Sequence, residues 1–98
     1  MYTNPQKLQS QENLELRRAG GRWLRERREQ KGLTQRQLAD LVGVEYYTFI
    51  SQLETGRGRI PPDKYRVWAA ALGMNPREFL MELLQFYDPI SHDILSGG

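Results

Sequence analysis

The sequence predicts an all-α fold, a compact domain of five helices. Three observations support this prediction: apolar residues recur at helical spacing, glycines follow the ends of the periodic stretches, and capping residues or prolines precede several of their starts. The chain has 98 residues, of which 39% are apolar, so it can form one small domain around a single core. We expect this domain at residues 17–88, between a flexible arm at residues 1–16 and a tail at residues 89–98.

The first helix is predicted from Gly21 to Lys31. Trp23 and Leu24 supply its apolar surface, and Gly32 ends it. The residues before it are polar and contain few apolar anchors, which indicates a mobile arm or a frayed helix.

A capping box marks the start of the second helix. Thr34 is followed three residues later by Gln37, so each side chain can accept a hydrogen bond from the backbone N–H of the other residue. Gly43 ends this helix. The apolar face that should turn toward the core consists of Leu38, Leu41 and Val42.

The third helix divides into an apolar face and a polar face. Its residues at the spacing i, i+3, i+4 and i+7 should face the core, namely Tyr46, Phe49, Ile50 and Leu53. The opposite face is uncharged but rich in hydrogen-bonding groups; it carries Tyr47, Thr48, Ser51, Gln52 and Thr55. A solvated helix face more often carries Glu and Lys. Hydroxyl, amide and methyl groups of this kind can instead match the edges of bases in the major groove of DNA.

A loop with two guanidinium groups follows the third helix. Its sequence is Gly56-Arg57-Gly58-Arg59, and such arginines can bind phosphates, which position a helix on DNA without reading its sequence. Two short helices joined by a glycine turn and followed by a basic loop predict a DNA-binding unit. Its second helix would enter the major groove.

Twelve residues of this unit follow, in order, the pattern of one protein family. They are Leu33, Thr34, Gln35, Leu38, Ala39, Gly43, Ile50, Ser51, Leu53, Glu54, Gly56 and Arg57. In this pattern the chain resembles the lambda-repressor-like, or xenobiotic-response-element, transcriptional regulators, over about residues 21–80. The resemblance implies a lambda-repressor-like domain with its helix-turn-helix at helices 2 and 3. It also implies a sequence-specific regulator of transcription, most often a repressor.

One departure from the family pattern affects which residues would read bases. Between Gly43 and Gly56 the chain is one residue longer than the usual spacing, and the extra residue is best placed near Glu45 and Tyr46. Counting forward from Gly43 would expose an apolar side chain, whereas counting back from Gly56 keeps Ile50 buried. The backward count implies that the base-reading residues are Tyr47, Thr48, Ser51 and Gln52.

The resemblance assigns two further groups of residues. Phosphates would be bound by Thr34, Gln35, Arg57 and Arg59, with Gln35 acting through its side chain or through the amides at the helix start. Arg28 and Glu54 would form a structural ion pair that ties the first helix to the third. If that pair is buried, loss of one partner would strand a charge and cost about 3–5 kcal/mol.

Two helices follow the basic loop. The fourth begins after Pro61-Pro62 and ends at Gly73, and its apolar stripe consists of Tyr65, Trp68, Ala69 and Leu72. The fifth begins with Asn75 as its N-cap and Pro76 at its first position, and Asp88-Pro89 stops it.

Members of the family commonly dimerise through the C-terminal part of the fold. We therefore expect a homodimer on a palindromic site, formed through residues Phe79, Leu80, Leu83, Leu84, Phe86 and Tyr87.

Charge is distributed unevenly along the chain. Residues 1–60 contain 11 Lys and Arg against seven Asp and Glu, whereas residues 61–98 contain three against five. The basic half holds the expected DNA-binding unit, as attraction to phosphates requires.

Where the arm meets the domain, Arg17, Arg18 and Arg22 could insert into a minor groove. The alternative is that the N-terminal segment is a disordered leader that makes no contact with DNA.

Composition argues against other classes of protein. The chain has no cysteine and one histidine, His92, so neither a metal site nor a catalytic triad has its partners, and no cofactor motif is present. No apolar run approaches a membrane span of about 20 residues. We expect a cytoplasmic, nucleoid-associated protein that is not an enzyme.

Two other functions remain open from the sequence. The chain could be the antitoxin of a toxin–antitoxin pair, which binds DNA and also a protein through its apolar C-terminal helix. It could also be a protein-interaction module that keeps the helix-turn-helix shape without binding DNA. The uncharged polar face and the arginine loop argue against this last alternative.

Overall fold

The computed structural model describes the backbone of residues 5–97 and the side chains of residues 12–97. Within that range the chain forms six α-helices, one short 3-10 helix and no strand, which confirms the all-α prediction. The helices are α1 (Pro5–Gln30), α2 (Gln35–Val42), α3 (Thr48–Glu54), α4 (Tyr65–Ala71), α5 (Pro76–Tyr87) and α6 (Pro89–Leu95), and the 3-10 turn Pro62–Lys64 precedes α4.

Helix α1 is much longer than predicted. It begins at Pro5 instead of Gly21 and continues through Gly20 and Gly21 without a break. Both glycines serve close packing: a Cβ on Gly20 would lie 2.8 Å from Cβ of Phe86, and one on Gly21 would lie 2.6 Å from the carbonyl carbon of Glu54. Residues 5–16 of the predicted arm are therefore helical, while residues 1–4 lie outside the described residues.

The core lies where α1, α2, α3, α4 and α5 meet. Helix α1 packs against α3 and α5, α2 packs against α3 and α4, and α4 packs against α5. The largest fully buried side chains are Trp68, Phe79, Leu24, Leu38, Ile50, Leu53, Ile60, Leu83 and Val42. Leu41, which was expected to face this core, is instead 52% exposed, because the outer edge of α2 has no helix against it.

The C-terminal part of the chain contains one more helix than predicted. Asn75 caps α5 by accepting hydrogen bonds from the amides of Arg77 (2.8 Å) and Glu78 (3.3 Å). After α5 ends at Tyr87, the segment expected as a tail forms α6, which packs on α5. The same Asp88-Pro89 that stops α5 also starts α6, since Asp88 is its N-cap and Pro89 occupies its first position.

None of the helices in the described part of the chain is long and apolar enough to cross a bilayer.

Candidate nucleic-acid interface

The turn between α2 and α3 is built by local signals. The amide of Gln37 donates to the hydroxyl of Thr34 (3.0 Å), and the amide of Thr34 donates to the Gln37 side chain (2.9 Å), so the predicted capping box is present. At the other end of α2, Gly43 adopts φ +74°, a left-handed conformation that other residues rarely adopt. The amide of Val44 then donates to the carbonyl of Ala39 (2.9 Å) and directs the chain toward α3.

Helix α3 is oriented as the count back from Gly56 requires. Ile50 and Leu53 are buried in the core. The exposed side of α3 and the residue before it form a stripe of uncharged polar side chains, which we call the polar stripe; its members are Tyr47, Thr48, Ser51 and Gln52. Tyr47, Thr48 and Gln52 are exposed and Ser51 is half-buried.

The prediction for Tyr46 was wrong. It was expected to belong to the apolar face of the third helix, but α3 begins only at Thr48, so Tyr46 lies in the turn and is 68% exposed. Helical spacing does not apply to a residue outside the helix. The longer turn between Gly43 and Thr48 thus adds an exposed aromatic side chain beside the start of the polar stripe.

A buried ion pair fixes α3 against α1. Arg28 donates to Glu54 through Nε (2.6 Å) and Nη2 (3.0 Å), and its Nη1 donates to the carbonyl oxygen of Leu33 (2.8 Å). Only 8% of Arg28 and 7% of Glu54 are exposed. The hydrogen bonds with Glu54 raise the pKa of Arg28 above its ordinary value, against the opposing effect of burial, so the guanidinium stays charged. The structure therefore contains the pair that the resemblance implied.

The side chain of Gln35 belongs to the same cluster. Its Nε2 donates to Oε1 of Glu54 (3.1 Å), so the side chain expected to hold a phosphate is used inside the protein. Gln35 was predicted to bind a phosphate either through its side chain or through the backbone amides at the start of α2. The geometry leaves the backbone amides available for this contact. Thr34 is exposed at the same helix start.

The two arginines of the basic loop lie in different surroundings. Arg57 is exposed, and its backbone amide donates to the carbonyl of Gln52 (2.8 Å), which places it directly after α3. Arg59 is turned toward the end of α5: its guanidinium lies 4.8 Å from the ring centroid of Tyr87 and donates to the Tyr87 carbonyl (3.3 Å).

Tyr87 also holds the chain just beyond this loop. The amide of Ile60 donates to the Tyr87 hydroxyl (3.2 Å). The pKa of that hydroxyl lies above its ordinary value, because the effect of burial exceeds the opposing effects of the Ile60 hydrogen bond and the charge of Arg59. Tyr87 thereby connects α5 to the segment that follows α3.

The three arginines that were expected on an arm lie on a helix. Arg17, Arg18 and Arg22 are exposed within α1. A Cβ on Gly56 would lie 2.8 Å from the backbone nitrogen of Arg18, so this part of α1 borders the basic loop. The structure places these three arginines on one continuous helix, and their insertion into a minor groove stays a prediction.

The residues expected to form a dimer interface fall into two groups. Phe79 and Leu83 are fully buried in the monomer core, which corrects their assignment, since a core residue offers no surface to a second protomer. Phe86 is half-buried with its ring 6.0 Å from that of Trp23, and Tyr87 is engaged with the basic loop. Leu80 and Leu84 are half-buried and line a groove with Met81 and Leu95.

Two features of the interface were missed by sequence reasoning. The guanidinium of Arg36 lies 5.0 Å from the ring centroid of Tyr47, so α2 contributes a cation to the polar stripe. Nothing in the spacing pointed to this contact. The first helix was predicted to start at Gly21, although a glycine pair inside a helical stretch is itself a signal of close backbone approach.

The described residues contain no group of three or more His, Asp or Glu side chains placed to hold a metal ion.

Comparison with protein-family models gives one match, described as a helix-turn-helix domain, over residues 21–80. No curated protein matches the sequence significantly. The matched segment runs from the second glycine of the pair in α1 to the middle of α5 and includes the polar stripe, the basic loop and the buried ion pair.

Proposed function

The chain belongs to the helix-turn-helix domain family, and we propose that it is a sequence-specific DNA-binding regulator of transcription that acts as a repressor. The observation that carries this proposal is the polar stripe. Three of its four side chains are exposed, all four are uncharged and can form hydrogen bonds, and three of them lie on a helix that a buried ion pair holds in place. By binding a palindromic operator, the protein would exclude other proteins from that stretch of DNA.

The polar stripe would read bases in the major groove. The Gln52 amide can donate and accept simultaneously, as the edge of adenine requires, and Thr48 offers a hydroxyl together with a methyl group that suits thymine. The Ser51 hydroxyl could bind a base edge close to the helix, and the Tyr47 hydroxyl could bind one farther away. Because Glu54 at the end of α3 is hydrogen-bonded to Arg28 of α1, the backbone of this helix would meet the DNA already in place.

Phosphate contacts would surround the stripe and fix its register. Thr34 and the Gln35 amide lie at the start of α2, Arg57 lies just beyond α3, and Arg18 borders the same loop from α1. Arg59 would join them only if its guanidinium leaves Tyr87. Contacts of this kind position a protein on DNA and make its affinity depend on salt.

We also propose that two protomers bind the operator through the C-terminal helices. The surface that supports this lies on α5 and α6 and includes Leu80 and Leu84 along with the exposed Ile90, Ile94 and Leu95. A two-fold dimer would present two α3 helices to half-sites about one helical turn apart.

The experiment that tests this function is selection of bound sequences from a random duplex pool at near-physiological salt, followed by the mass of the selected complex. We expect an enriched palindrome with two protomers bound. If no sequence is enriched and binding does not respond to salt, the protein is not a DNA-binding regulator. Enrichment of a single half-site with one protomer would contradict the dimer alone.

A second function is favoured by the exposed apolar side chains of α6. Ile90 is 75% exposed and Ile94 68%, and such a surface fits an antitoxin that covers a protein toxin with its C-terminal helix while also binding DNA. Co-purification of a small protein partner that is displaced by Ile90→Ser and Ile94→Ser would support it. A pure homodimer after expression with the neighbouring genes would argue against it.

A further inference from the structure

Arg36 differs from Arg25, Arg27 and Arg59, whose guanidinium groups donate hydrogen bonds to acceptors within the protein. Arg25 pairs with Glu29, Arg27 with Glu82, and Arg59 donates to the carbonyl of Tyr87. Arg36 is exposed on the first turn of α2, and in the part of the chain that the structure describes no carboxylate lies within 4.0 Å of it. Its contact is the ring of Tyr47, 5.0 Å away.

This contact orders the side chain without using its hydrogen-bond donors. A guanidinium that lies over an aromatic ring interacts through its face, so the N–H groups along its edge remain directed outward. A free arginine side chain samples many rotamers and must lose that freedom when it binds. The Tyr47 ring therefore restricts Arg36 beforehand and reduces the conformational freedom that this side chain must lose when it donates to an anion.

The position of the pair identifies the anion. Tyr47 is the first member of the polar stripe, and Arg36 lies beside it on α2, the helix that borders the stripe. A group on the flanking helix is set back from the stripe, where the sugar–phosphate backbone would run when α3 occupies the groove. The planar guanidinium suits two parallel hydrogen bonds to one phosphate.

We propose that Arg36 binds a DNA phosphate and that Tyr47 is its positioning residue, in addition to any base that the Tyr47 hydroxyl reads. This inference rests on the proposed DNA-binding function. It adds to the interface a cation from α2 that the residue pattern does not indicate.

The test is a double-mutant cycle of Arg36→Ala and Tyr47→Leu, measured on the selected operator and on random duplex DNA across a series of salt concentrations. We expect Arg36→Ala to weaken both complexes about tenfold, as for one charge-assisted hydrogen bond, and to lower the salt slope by about 1. In the Tyr47→Leu background, the factor by which Arg36→Ala weakens binding should be about two- to fivefold smaller. This difference corresponds to the usual strength of an exposed cation–π contact.

Two controls separate positioning from other roles. Tyr47→Phe keeps the ring, so Arg36→Ala should weaken binding by the same factor in this background as in the wild-type protein. Arg77→Ala removes one exposed charge from α5, which packs against α1, α4 and α6, and should change neither complex appreciably. In the free protein, nuclear magnetic resonance should show the Arg36 Hδ protons shifted upfield by the ring, and Tyr47→Leu should abolish that shift.

Three results would overturn the inference while the proposed function stands. Arg36→Ala could leave affinity and salt slope unchanged, it could lose discrimination at a single base pair only, or its effect could be additive with that of Tyr47→Leu. Absence of salt-sensitive binding by the wild-type protein would overturn both proposals together.

Discussion

The junction of α1 with α3 and the junction of α5 with α6 hold their helices by opposite means. At the first, Arg28 and Glu54 are buried and doubly hydrogen-bonded, and Gly21 brings the two backbones into contact. At the second, α6 begins with a half-buried cap: Asp88 accepts hydrogen bonds from the amide (3.1 Å) and the hydroxyl (2.5 Å) of Ser91.

The difference fits the roles proposed for the two regions. A helix that reads bases must present its side chains at fixed positions, and a buried, fully hydrogen-bonded cluster provides that rigidity. A helix with exposed apolar side chains, such as Ile90 and Ile94 of α6, has surface left for a partner to cover. Substitutions at the junction of α1 with α3 should therefore lower the stability of the fold most. Substitutions at the junction of α5 with α6 should have little effect on that stability.

The largest effect is expected from breaking the buried pair. Glu54→Ala leaves the Arg28 guanidinium buried without its partner and should lower the free energy of unfolding by about 3–5 kcal/mol, measured by urea denaturation. Arg25→Ala is the matched control, because it removes an arginine whose pair with Glu29 is exposed, and it should change stability by less than about 0.5 kcal/mol. Equal effects for the two variants would show that the buried pair does not hold the junction.

The next largest effect is expected at the close approach of α1 and α3. Gly21→Ala places a methyl group against the backbone of Glu54. It should destabilise the fold by about 1–3 kcal/mol through overpacking, although alanine is the better helix former by about 1 kcal/mol. Gly58→Ala serves as control, since its Cβ would lie an ordinary 3.6 Å from Leu53. A rise in melting temperature for Gly21→Ala would mean that the helices can separate freely.

A smaller effect is expected for a charge on the basic loop. Arg57→Ala should weaken binding to operator and random DNA by the same factor and lower the salt slope by about 1, because one phosphate contact is lost. Arg77→Ala on α5 removes the same charge from the C-terminal region and should leave the slope as it is. A loss confined to one base pair would assign Arg57 to base reading instead.

The smallest effect is expected at the cap of α6. The hydrogen bonds from Ser91 lower the pKa of Asp88, so its carboxylate stabilises α6 above the unfolded pKa, and this contribution is lost as the pH falls through the folded pKa. The 13Cα shifts of residues 90–95 should lose helical character on acidification while those of α3 do not. Asp88→Asn should make the α6 shifts insensitive to pH in this range; if they still follow pH, another group controls α6.

Local signals allowed several helix ends in the fold to be predicted. The capping box at Thr34, the left-handed Gly43 and the Asn75 cap each depend on neighbours in sequence, and the structure contains all three. The family resemblance supplied what local patterns cannot, namely that Arg28 reaches Glu54 across 26 residues.

The errors in prediction have identifiable physical causes. Leu41 was assigned to the core from periodicity, which marks an apolar face but not whether a neighbour covers it. The Asp88-Pro89 step was interpreted only as the end of α5, although the same two residues are a good cap and first position for a new helix. Phe79 was assigned to a dimer interface because an apolar stripe looks alike whether it faces its own core or a partner.

The contact between Arg36 and Tyr47 could not be predicted from local sequence signals or from the family resemblance. It depends on the angle between α2 and α3 and on the lengthened turn that places Tyr47 just before α3. Contacts across a turn of unusual length depend on tertiary geometry, so they become visible only in the structure.

The most direct test of the account is to compare the base preferences of the wild-type protein with those of Gln52→Ala. Both would be selected from the same random pool at the same salt concentration. We expect Gln52→Ala to lose about 1–3 kcal/mol of discrimination at one base pair of each half-site and to keep its preferences elsewhere. Unchanged preferences at every position, with the variant folded and bound, would show that the polar stripe of α3 does not read the bases.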